Sequence, residues 1–333
     1  MEIKLGMEMK PGWRDRFGFM VRSHQEESLL LLLIVIIIAI SPIFSPDFFT
    51  EYNLFNLLRQ ISYTAIVSIG MLLTILIGGI DLSVGSIMQA VGLSSILLIQ
   101  NDMPVWLVVI VVLCLGMALG LINGSLIVYG LLQPFIVTLG TKIVIDGTTL
   151  VVSDGKGVSG NAPDGFLEIG AGHLGAVPIP VVIMFALLLL GSVVLNRTVF
   201  GRQIYAVGSN RLAAHNSGIN VNKIQLLVYM LSGLFAAIAG LLVAARTGAF
   251  QPITTPGGAA GMELNAIAAV VVGGASLAGG KGTIGGAFLG ALLSGLLFNL
   301  LVFLNLNPYI QQFILGAIVL AAVIFSASKR RKR

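Results

Sequence analysis

The stretch Leu195–Lys223, LNRTVFGRQIYAVGSNRLAAHNSGINVNK, decides how the rest of the chain is arranged. It lies between two long apolar runs and contains no acidic residue. Its four strongly cationic residues are Arg197, Arg202, Arg211 and Lys223. Positive charge between two membrane spans is typical of a loop that stays on the cytoplasmic side. The stretch therefore predicts a membrane protein with a large cytoplasmic loop in the middle of the chain.

A short helix is predicted inside this loop. Ser209 or Asn210 can accept a hydrogen bond from a free backbone N–H and so cap the segment RLAAHNS, which Gly218 then ends. Such a helix offers a soluble partner a docking surface that the neighbouring spans do not provide. The alternative is an ordinary solvated connector, and the charges and caps by themselves leave both interpretations open.

Composition places the whole chain in the membrane. Of its 333 residues, 56% are hydrophobic and only 10% are charged, and the mean hydropathy is +0.99. A soluble globule needs far more surface charge, so the chain is predicted to be a polytopic membrane protein. The pI of about 9.5 then reflects membrane topology, because nucleic-acid binding would require the positive charge on one accessible groove with stacking aromatic residues.

Metal and disulfide chemistry is not expected. The single cysteine, Cys114, lies in an apolar segment and has no partner for an internal disulfide. The three histidines, His24, His173 and His215, are scattered over different loops without the spacing of a zinc site. We therefore predict that this chain holds no metal and no cofactor.

Ten apolar runs predict the fold class, an all-α polytopic protein with about ten transmembrane helices. Several runs are short, so a re-entrant segment could replace one span. The aromatic segment before Ile61 is either an interfacial helix or the start of the second span. The runs are Leu29–Phe44, Ile61–Ile80, Leu82–Gln100, Val105–Val128, Phe135–Val152, Ile179–Leu195, Ile224–Ala245, Leu264–Ala278, Thr283–Leu304 and Tyr309–Phe325.

The distribution of charge predicts that both termini are cytoplasmic. With an even number of spans, most of the 19 Lys and Arg residues fall on the inside, as the positive-inside rule requires. The predicted organisation is an N-terminal arm (1–28), a transmembrane domain (29–327) and a basic tail (328–333). Within the domain, 197–222 form the cytoplasmic loop, and the Gly-rich loop 153–178 lies outside.

Glycines recur every fourth residue on two runs, at Gly116, Gly120 and Gly124 and at Gly286 and Gly290. Ala236, Gly240 and Ala244 repeat the spacing on a third run. Small residues at this spacing let helix backbones approach closely in a membrane. These faces are predicted packing seams, within one subunit or between two.

The segment GGIDLSVGS predicts a break between two helices. Gly78 and Gly79 can end one helix, and Asp81 or Ser83 can cap the next. Two interpretations of Asp81 stay open. It is either a cap at a cytoplasmic turn or a buried polar group near a transport path.

The chain shows no catalytic set and no nucleotide site. The segment AGGKG resembles part of a phosphate-binding loop, but Ala275 stands where the first glycine of that motif belongs and Gly282 replaces its Ser or Thr. Asp146 has no histidine or second carboxylate nearby in sequence. Lys142, four residues earlier on the same helix face, is its predicted ion partner.

Three stretches carry a resemblance to a known family. They are GRQIYAVGSNRLAAHNSGINVNKI (201–224), NLLRQISYTAIVSIGMLLTILIGGIDLSVGS (56–86) and ELNAIAAVVVGGASLAGGKGTIGGAFLGA (263–291). The chain resembles the permease subunits of bacterial ABC importers for ribose and related monosaccharides. The resemblance extends from about Phe48 to about Ile324 and does not identify the sugar.

The resemblance implies a multi-pass permease of the bacterial inner membrane that works as a homodimer. A periplasmic solute-binding protein would deliver the sugar, and a separate cytoplasmic ATPase subunit would bind and hydrolyse ATP, so the permease itself is not an enzyme. The residues implied to couple to that ATPase are Asn210, Arg211, Leu212, Ala213, Ala214, His215, Asn216, Ser217 and Gly218.

Polar side chains in or beside apolar runs are the candidates for the sugar path. Each of them is also a candidate for an ordinary hydrogen bond between helices. The main rival class is a secondary transporter driven by an ion gradient, with Asp81 and Asp146 as its buried ionisable residues. The path candidates are Asp81, Ser83, Asn123, Gln133, Thr138 and Asn299.

Overall fold

The computed structural model describes residues 25–44, 46–252, 259, 261–304, 306–307, 310–311, 313–314 and 316–317. The predicted tail 328–333 lies outside these residues, as do most of the predicted arm 1–28 and most of the last apolar run, 309–325. The described part of the chain is mostly helical, as expected for a polytopic membrane protein.

Twelve α-helices have their bounds within the described residues. They are α1 (Gln25–Phe44), α2 (Glu51–Leu76), α3 (Val84–Gln100), α4 (Val105–Tyr129), α5 (Pro134–Val152), α6 (Asp164–Ala171), α7 (Ile179–Arg197), α8 (Val199–Ser209), α9 (Arg211–Asn216), α10 (Val221–Thr247), α11 (Met262–Val272) and α12 (Ile284–Phe303).

Six of these helices are long and apolar enough to cross a membrane, namely α2, α4, α5, α7, α10 and α12. Three shorter apolar helices accompany them in the described part: Leu30–Phe44 within α1, α3 and α11. The 11 residues of α11 span only about 17 Å, which is little more than half of the hydrocarbon core. Apolar runs in the sequence therefore outnumber the described helices of full spanning length.

The aromatic segment before Ile61 is part of the second span. A single helix, α2, extends from Glu51 to Leu76, and the Thr50 hydroxyl caps it by accepting a hydrogen bond from the N–H of Asn53. A 3-10 turn, Pro46–Phe49, precedes the cap. The structure thus contains no separate interfacial helix at this point.

Helix α10 lies at the centre of the bundle, against α2, α3, α4 and α6. Its small residues permit this crowding: Ala236, Ala237 and Ala239 are completely buried. Gly240 lies so close to the backbone of Met88 in α3 that a side chain there would collide with it. In contrast, α4, α5 and α7 turn most of their apolar side chains outward, as helices that face lipid do.

The predicted outside loop 153–178 contains regular structure that its glycine-rich sequence conceals. It includes α6, whose Phe166 is completely buried, and three two-residue strands. Strand β1 (Val158–Ser159) pairs with β4 (Ala249–Phe250), which follows α10, and β2 (His173–Leu174) pairs with β3 (Val177–Pro178). These two antiparallel pairs depart from a purely α-helical fold. A turn joins β2 to β3, whereas β1 and β4 come from distant parts of the chain.

Candidate functional site

The loop predicted to be cytoplasmic contains the short helix α9, which begins and ends at side-chain and backbone signals. The Asn210 side-chain oxygen accepts a hydrogen bond from the N–H of Ala213 at 2.9 Å, so Asn210 rather than Ser209 is the N-cap. Gly218 ends the turn with a φ of 81°. This left-handed conformation suits glycine, because a Cβ at a positive φ crowds the backbone.

The segment 210–218 turns outward almost completely. Ala214 alone is buried within it, and the Leu212 side chain is 70% exposed. An exposed leucine on a capped cytoplasmic helix gives a soluble partner an apolar contact. We call the exposed residues of this segment the loop surface: Asn210, Arg211, Leu212, Ala213, His215, Asn216, Ser217 and Gly218.

Helix α8 and one hydrogen bond to α10 hold α9 in position. The Arg211 guanidinium donates a hydrogen bond to the side-chain oxygen of Gln225, a buried residue of α10, at 2.9 Å. On α8, the Tyr205 hydroxyl donates to the backbone oxygen of Gly282 at 2.8 Å, and burial raises the pKa of Tyr205. The loop therefore contacts both the central helix and the turn that leads into α12.

Two glycine turns meet beneath α8. The N–H of Gly280 donates to the carbonyl of Leu76, the last residue of α2, at 2.8 Å. Gly208 of α8 packs against the same carbonyl so closely that any side chain at this position would collide with it. The turn after α2, the turn before α12 and α8 thus form one contact, which we call the glycine junction.

The break at GGIDLSVGS carries a buried polar cluster. Asp81 is completely buried, and one of its carboxylate oxygens accepts hydrogen bonds from the N–H and the hydroxyl of Ser83 at 3.0 and 2.6 Å. The other oxygen accepts from the Ser232 hydroxyl of α10 at 2.8 Å. The Asn123 amide of α4 donates to the Ser83 hydroxyl at 2.8 Å. The first residues of α3 are thereby tied to α4 and α10.

This cluster lies within the bundle and not at a solvent-exposed turn. Ser232 is about three helical turns from the start of α10, so the chain folds back inward after α2. Asp81 has no salt-bridge partner among the described residues. Of the two interpretations open from sequence, the geometry agrees with a buried polar group.

Only one of the three remaining path candidates lies beside this cluster. Thr138 of α5 is adjacent to it, since its hydroxyl contacts the backbone oxygen of Ile80 at 3.2 Å as well as that of Pro134 at 2.9 Å. Gln133 is exposed at the N-cap position of α5. The Asn299 side chain, near the end of α12, donates a hydrogen bond to the Asn53 side chain near the start of α2. Both residues are far from Asp81, which follows the other end of α2.

The predicted glycine seams lie between helices of the same chain. On α4, Gly116 faces Gly233 and Ala237, Gly120 faces Tyr229 and Gly233, and Gly124 faces Leu226 and Tyr229, all on α10. Gly286 and Gly290 of α12 lie against Gly273 and Ala269, at the end of α11. In each case the nearest atoms belong largely to the partner backbone, so the helices touch at the glycines.

An ion cluster links α5 to α11. The Lys142 ammonium lies 3.4 Å from Asp146, its predicted partner, and 2.9 Å from the Glu263 carboxylate. Arg246, at the end of α10, donates to the Asn56 side chain at 3.0 Å. The pairing of Lys142 with Glu263 joins residues more than a hundred positions apart, and no local pattern in the sequence indicates it.

The described residues hold no cluster of His, Cys, Asp and Glu suited to a metal ion. Apolar spans around a buried polar cluster, with an exposed helix on the loop between two of them, define a helical membrane protein. Residues 53–323 match the family described as the branched-chain amino acid transport system / permease component. The chain belongs to this family of import permeases, and it is therefore a multi-pass membrane protein and not itself an enzyme.

Curated relatives extend over most of the chain. The ribose import permease protein of Haemophilus influenzae is 44% identical over 291 residues, which cover 86% of this chain and 88% of the relative. That of Escherichia coli strain K12 is 43% identical over 297 residues, 88% of this chain and 91% of the relative. The D-allose transport system permease protein of Escherichia coli is 37% identical over 288 residues, 86% of this chain and 87% of the relative. No solved structure matches the chain.

Proposed function

We propose that this chain is the membrane-spanning subunit of an ATP-driven importer that moves a monosaccharide, foremost a ribose-like pentose, into the cell. The observation that carries the proposal is the sequence identity of 43–44% to two ribose import permeases. It extends over nearly the full length of this chain and of each relative. The lower identity of 37% to the D-allose permease favours ribose over allose.

The loop surface is the proposed docking site for a separate ATPase subunit. Closure of the ATPase on ATP would push α9, and α8 would pass the displacement to the glycine junction. This route is supported by the packing of α9 against α8 and by the close contact of Gly208 with the carbonyl of Leu76. The hydrogen bond from Arg211 to Gln225 also ties α9 to α10. The helices on either side of the junction, α2 and α12, would then reorient to open the path on alternate sides.

ATP is proposed to bind the partner subunit and not this chain. In a phosphate-binding loop, free backbone N–H groups surround the phosphates. In the AGGKG turn, the N–H of Gly279 donates to Ser276 and that of Gly280 to Leu76. Those donors are already engaged, which supports a structural role for this turn.

Topology and assembly complete the proposal. Ten membrane spans with both termini in the cytoplasm would put the loop 153–178 on the outer face, where a periplasmic sugar-binding protein would dock. Leu174 in this loop is 67% exposed, which supports a protein contact there. The permease is proposed to act as a homodimer in the bacterial inner membrane.

Uptake of D-ribose into proteoliposomes tests the proposal. The permease is reconstituted with the ATPase and the binding protein encoded beside it, with ATP on the ATPase side. Uptake that requires all three proteins and ATP is the expected result. Uptake by the permease alone that stops when an ionophore dissipates the ion gradient would contradict it and would favour the rival secondary transporter, with Asp81 and Asp146 as its first candidates.

A further inference from the structure

A cleft opens between α3, α10 and β4, away from the Asp81 cluster and the loop surface. Its empty space is about 450 Å³, which includes open solvent at its mouth. The lining residues of α10 lie in the half of that helix farther from α9. Most of the wall is apolar, with Met88 and Gly92 on α3, Val243 and Ala244 on α10, and Phe250 on β4.

One polar side chain in this wall has no partner. Gln89 is only 3% exposed, it lines the cleft, and neither its side-chain oxygen nor its side-chain nitrogen has a hydrogen-bond partner among the described residues. Leaving both ends of a buried amide unpaired costs stability. A group retained at that cost, at the wall of a cleft, indicates a ligand that supplies the missing hydrogen bonds.

A second unpaired group lies beside Gly85, which is one helical turn from Gln89 along α3. Glu263 is 6% exposed, and Lys142 holds one of its oxygens at 2.9 Å while the other has no partner among the described residues. That free oxygen lies beside Gly85, where any side chain would collide with it. Ala259, whose carbonyl also lies beside Gly85, is part of the cleft wall. Because Gly85 has no side chain, the Glu263 carboxylate can pack against α3 one turn from Gln89.

The chemistry of these groups selects a class of ligand. A carboxamide offers donors at one end and an acceptor at the other, and a hydroxyl group can satisfy either end. Two carboxylates, Glu263 and Asp146, share the single ammonium of Lys142, so the surroundings disfavour anions such as sugar phosphates. Apolar and aromatic walls cover carbon-bound hydrogens. A neutral polyhydroxylated molecule fits all three features.

We propose that this cleft is a sugar-binding site in the transport path, with the Gln89 amide as its hydrogen-bonding group. The proposal rests on the proposed function for the identity of its ligand as a monosaccharide. Few polar contacts suit a path, since a transported solute must bind well enough to enter and weakly enough to leave.

Substitution of Gln89 in the complete transporter tests the site. Gln89→Met removes the amide at nearly constant volume, and Gln60→Met makes the same change at an exposed position of α2. We expect D-ribose uptake by Gln89→Met to fall about tenfold, the equivalent of one or two lost hydrogen bonds. Uptake by Gln60→Met should stay within about twofold of wild type on the same scale. Equal uptake by Gln89→Met and wild type would overturn the proposal.

A structural role for Gln89 predicts a different result in a thermal melt. Because Met removes two unpaired buried polar atoms, Gln89→Met should melt at the same temperature as wild type or higher. A variant that loses uptake while its melting temperature is unchanged or raised supports the site. A melting temperature that falls together with uptake would mean that Gln89 serves packing, and it would overturn the proposal.

A binding assay separates failure of the site from failure of the proposed function. In the assembled transporter, Val243→Cys is combined with Cys114→Ser, and the introduced thiol is labelled with a maleimide. We expect D-ribose at tens of millimolar to slow labelling severalfold, and Gln89→Met to abolish this protection. Protection without ATP-dependent uptake would leave the site standing and refute the importer. Absence of protection by D-ribose in a transporter that imports D-ribose would refute the site alone.

Discussion

The N–H of Gly280 donates to the carbonyl of Leu76 at 2.8 Å, joining two turns that are about two hundred residues apart in the chain. This bond lies at the C-terminal end of α2, and it holds the turn that leads into α12. Gly208 of α8 lies on the same carbonyl. The glycine junction is therefore the point where the cytoplasmic loop can act on the membrane helices, and the first prediction addresses it.

Enlarging Gly208 should break the link between loop and bundle. Gly208→Val forces α8 away from the Leu76 carbonyl, because even a Cβ cannot be accommodated there. We expect sugar-stimulated ATP hydrolysis by the reconstituted transporter to fall at least tenfold, with a stability loss of about 1–3 kcal/mol. Gly140→Val on α5 is the control, since a Cβ at that position meets no atom within 4 Å among the described residues. Normal stimulation in Gly208→Val would mean that the junction transmits nothing.

Changes within α9 should uncouple the ATPase without preventing membrane insertion. Ala214→Trp places a large ring where the one buried residue of the segment now lies. Gly218→Val places a branched side chain at a φ of 81°, which costs about 1–3 kcal/mol of local strain. Both variants should reach the membrane in normal amounts and lose sugar-stimulated ATP hydrolysis. Unchanged stimulation in both would refute a coupling role for this segment, and Ala186→Trp, at an exposed position of α7, serves as the control.

The Asp81 cluster should contribute to stability through its acceptor oxygens. Asp81→Ala leaves the Ser83 and Ser232 hydroxyls without their acceptor inside the bundle. We expect a loss of about 2–4 kcal/mol, visible as a lower melting temperature of the purified permease in detergent. Asp81→Asn keeps one acceptor oxygen, and its loss of stability should be roughly half that of Asp81→Ala. Equal melting temperatures for Asp81→Ala and wild type would show that these hydrogen bonds add no net stability.

Removing Lys142 should destabilise the contact between α5 and α11. Lys142→Met leaves the Glu263 and Asp146 carboxylates close together without their cation. Breaking a mostly buried pair in this way costs about 3–5 kcal/mol, measured by thermal melting. Adding Glu263→Gln to Lys142→Met should restore part of the loss, because one of the two unpaired charges is removed. A double variant less stable than Lys142→Met would contradict this account.

Part of the candidate site could be predicted because it depends on local sequence. Asn210 caps α9, and Gly218 ends it, through bonds made within a few residues. The spacing of Gly116, Gly120 and Gly124 defines one helix face for the same reason. In contrast, the helix α6 and the pairing of β1 with β4 were not predicted, since Phe250, the partner of Val158, follows more than ninety residues later.

The Gln89 cleft could not be predicted from any local pattern. A glutamine in an apolar run usually forms a hydrogen bond to a neighbouring helix, and nothing in the sequence around Gln89 indicates that its amide is unpaired. Ser232 and Glu263 were missed for a similar reason, because their partners, Asp81 and Lys142, lie on distant segments of the chain.

The sequence by itself determined that this chain is a helical membrane protein, that its central loop is cationic and capped, and that its helices pack through glycines. These properties follow from hydropathy, charge and spacing, which act over a few residues. Only the tertiary structure decided that the two glycine turns meet beneath α8, that Asp81 is buried, and that Gln89 faces a cleft. Those properties depend on which distant segments come into contact, and that is settled by the packing of all the helices around α10.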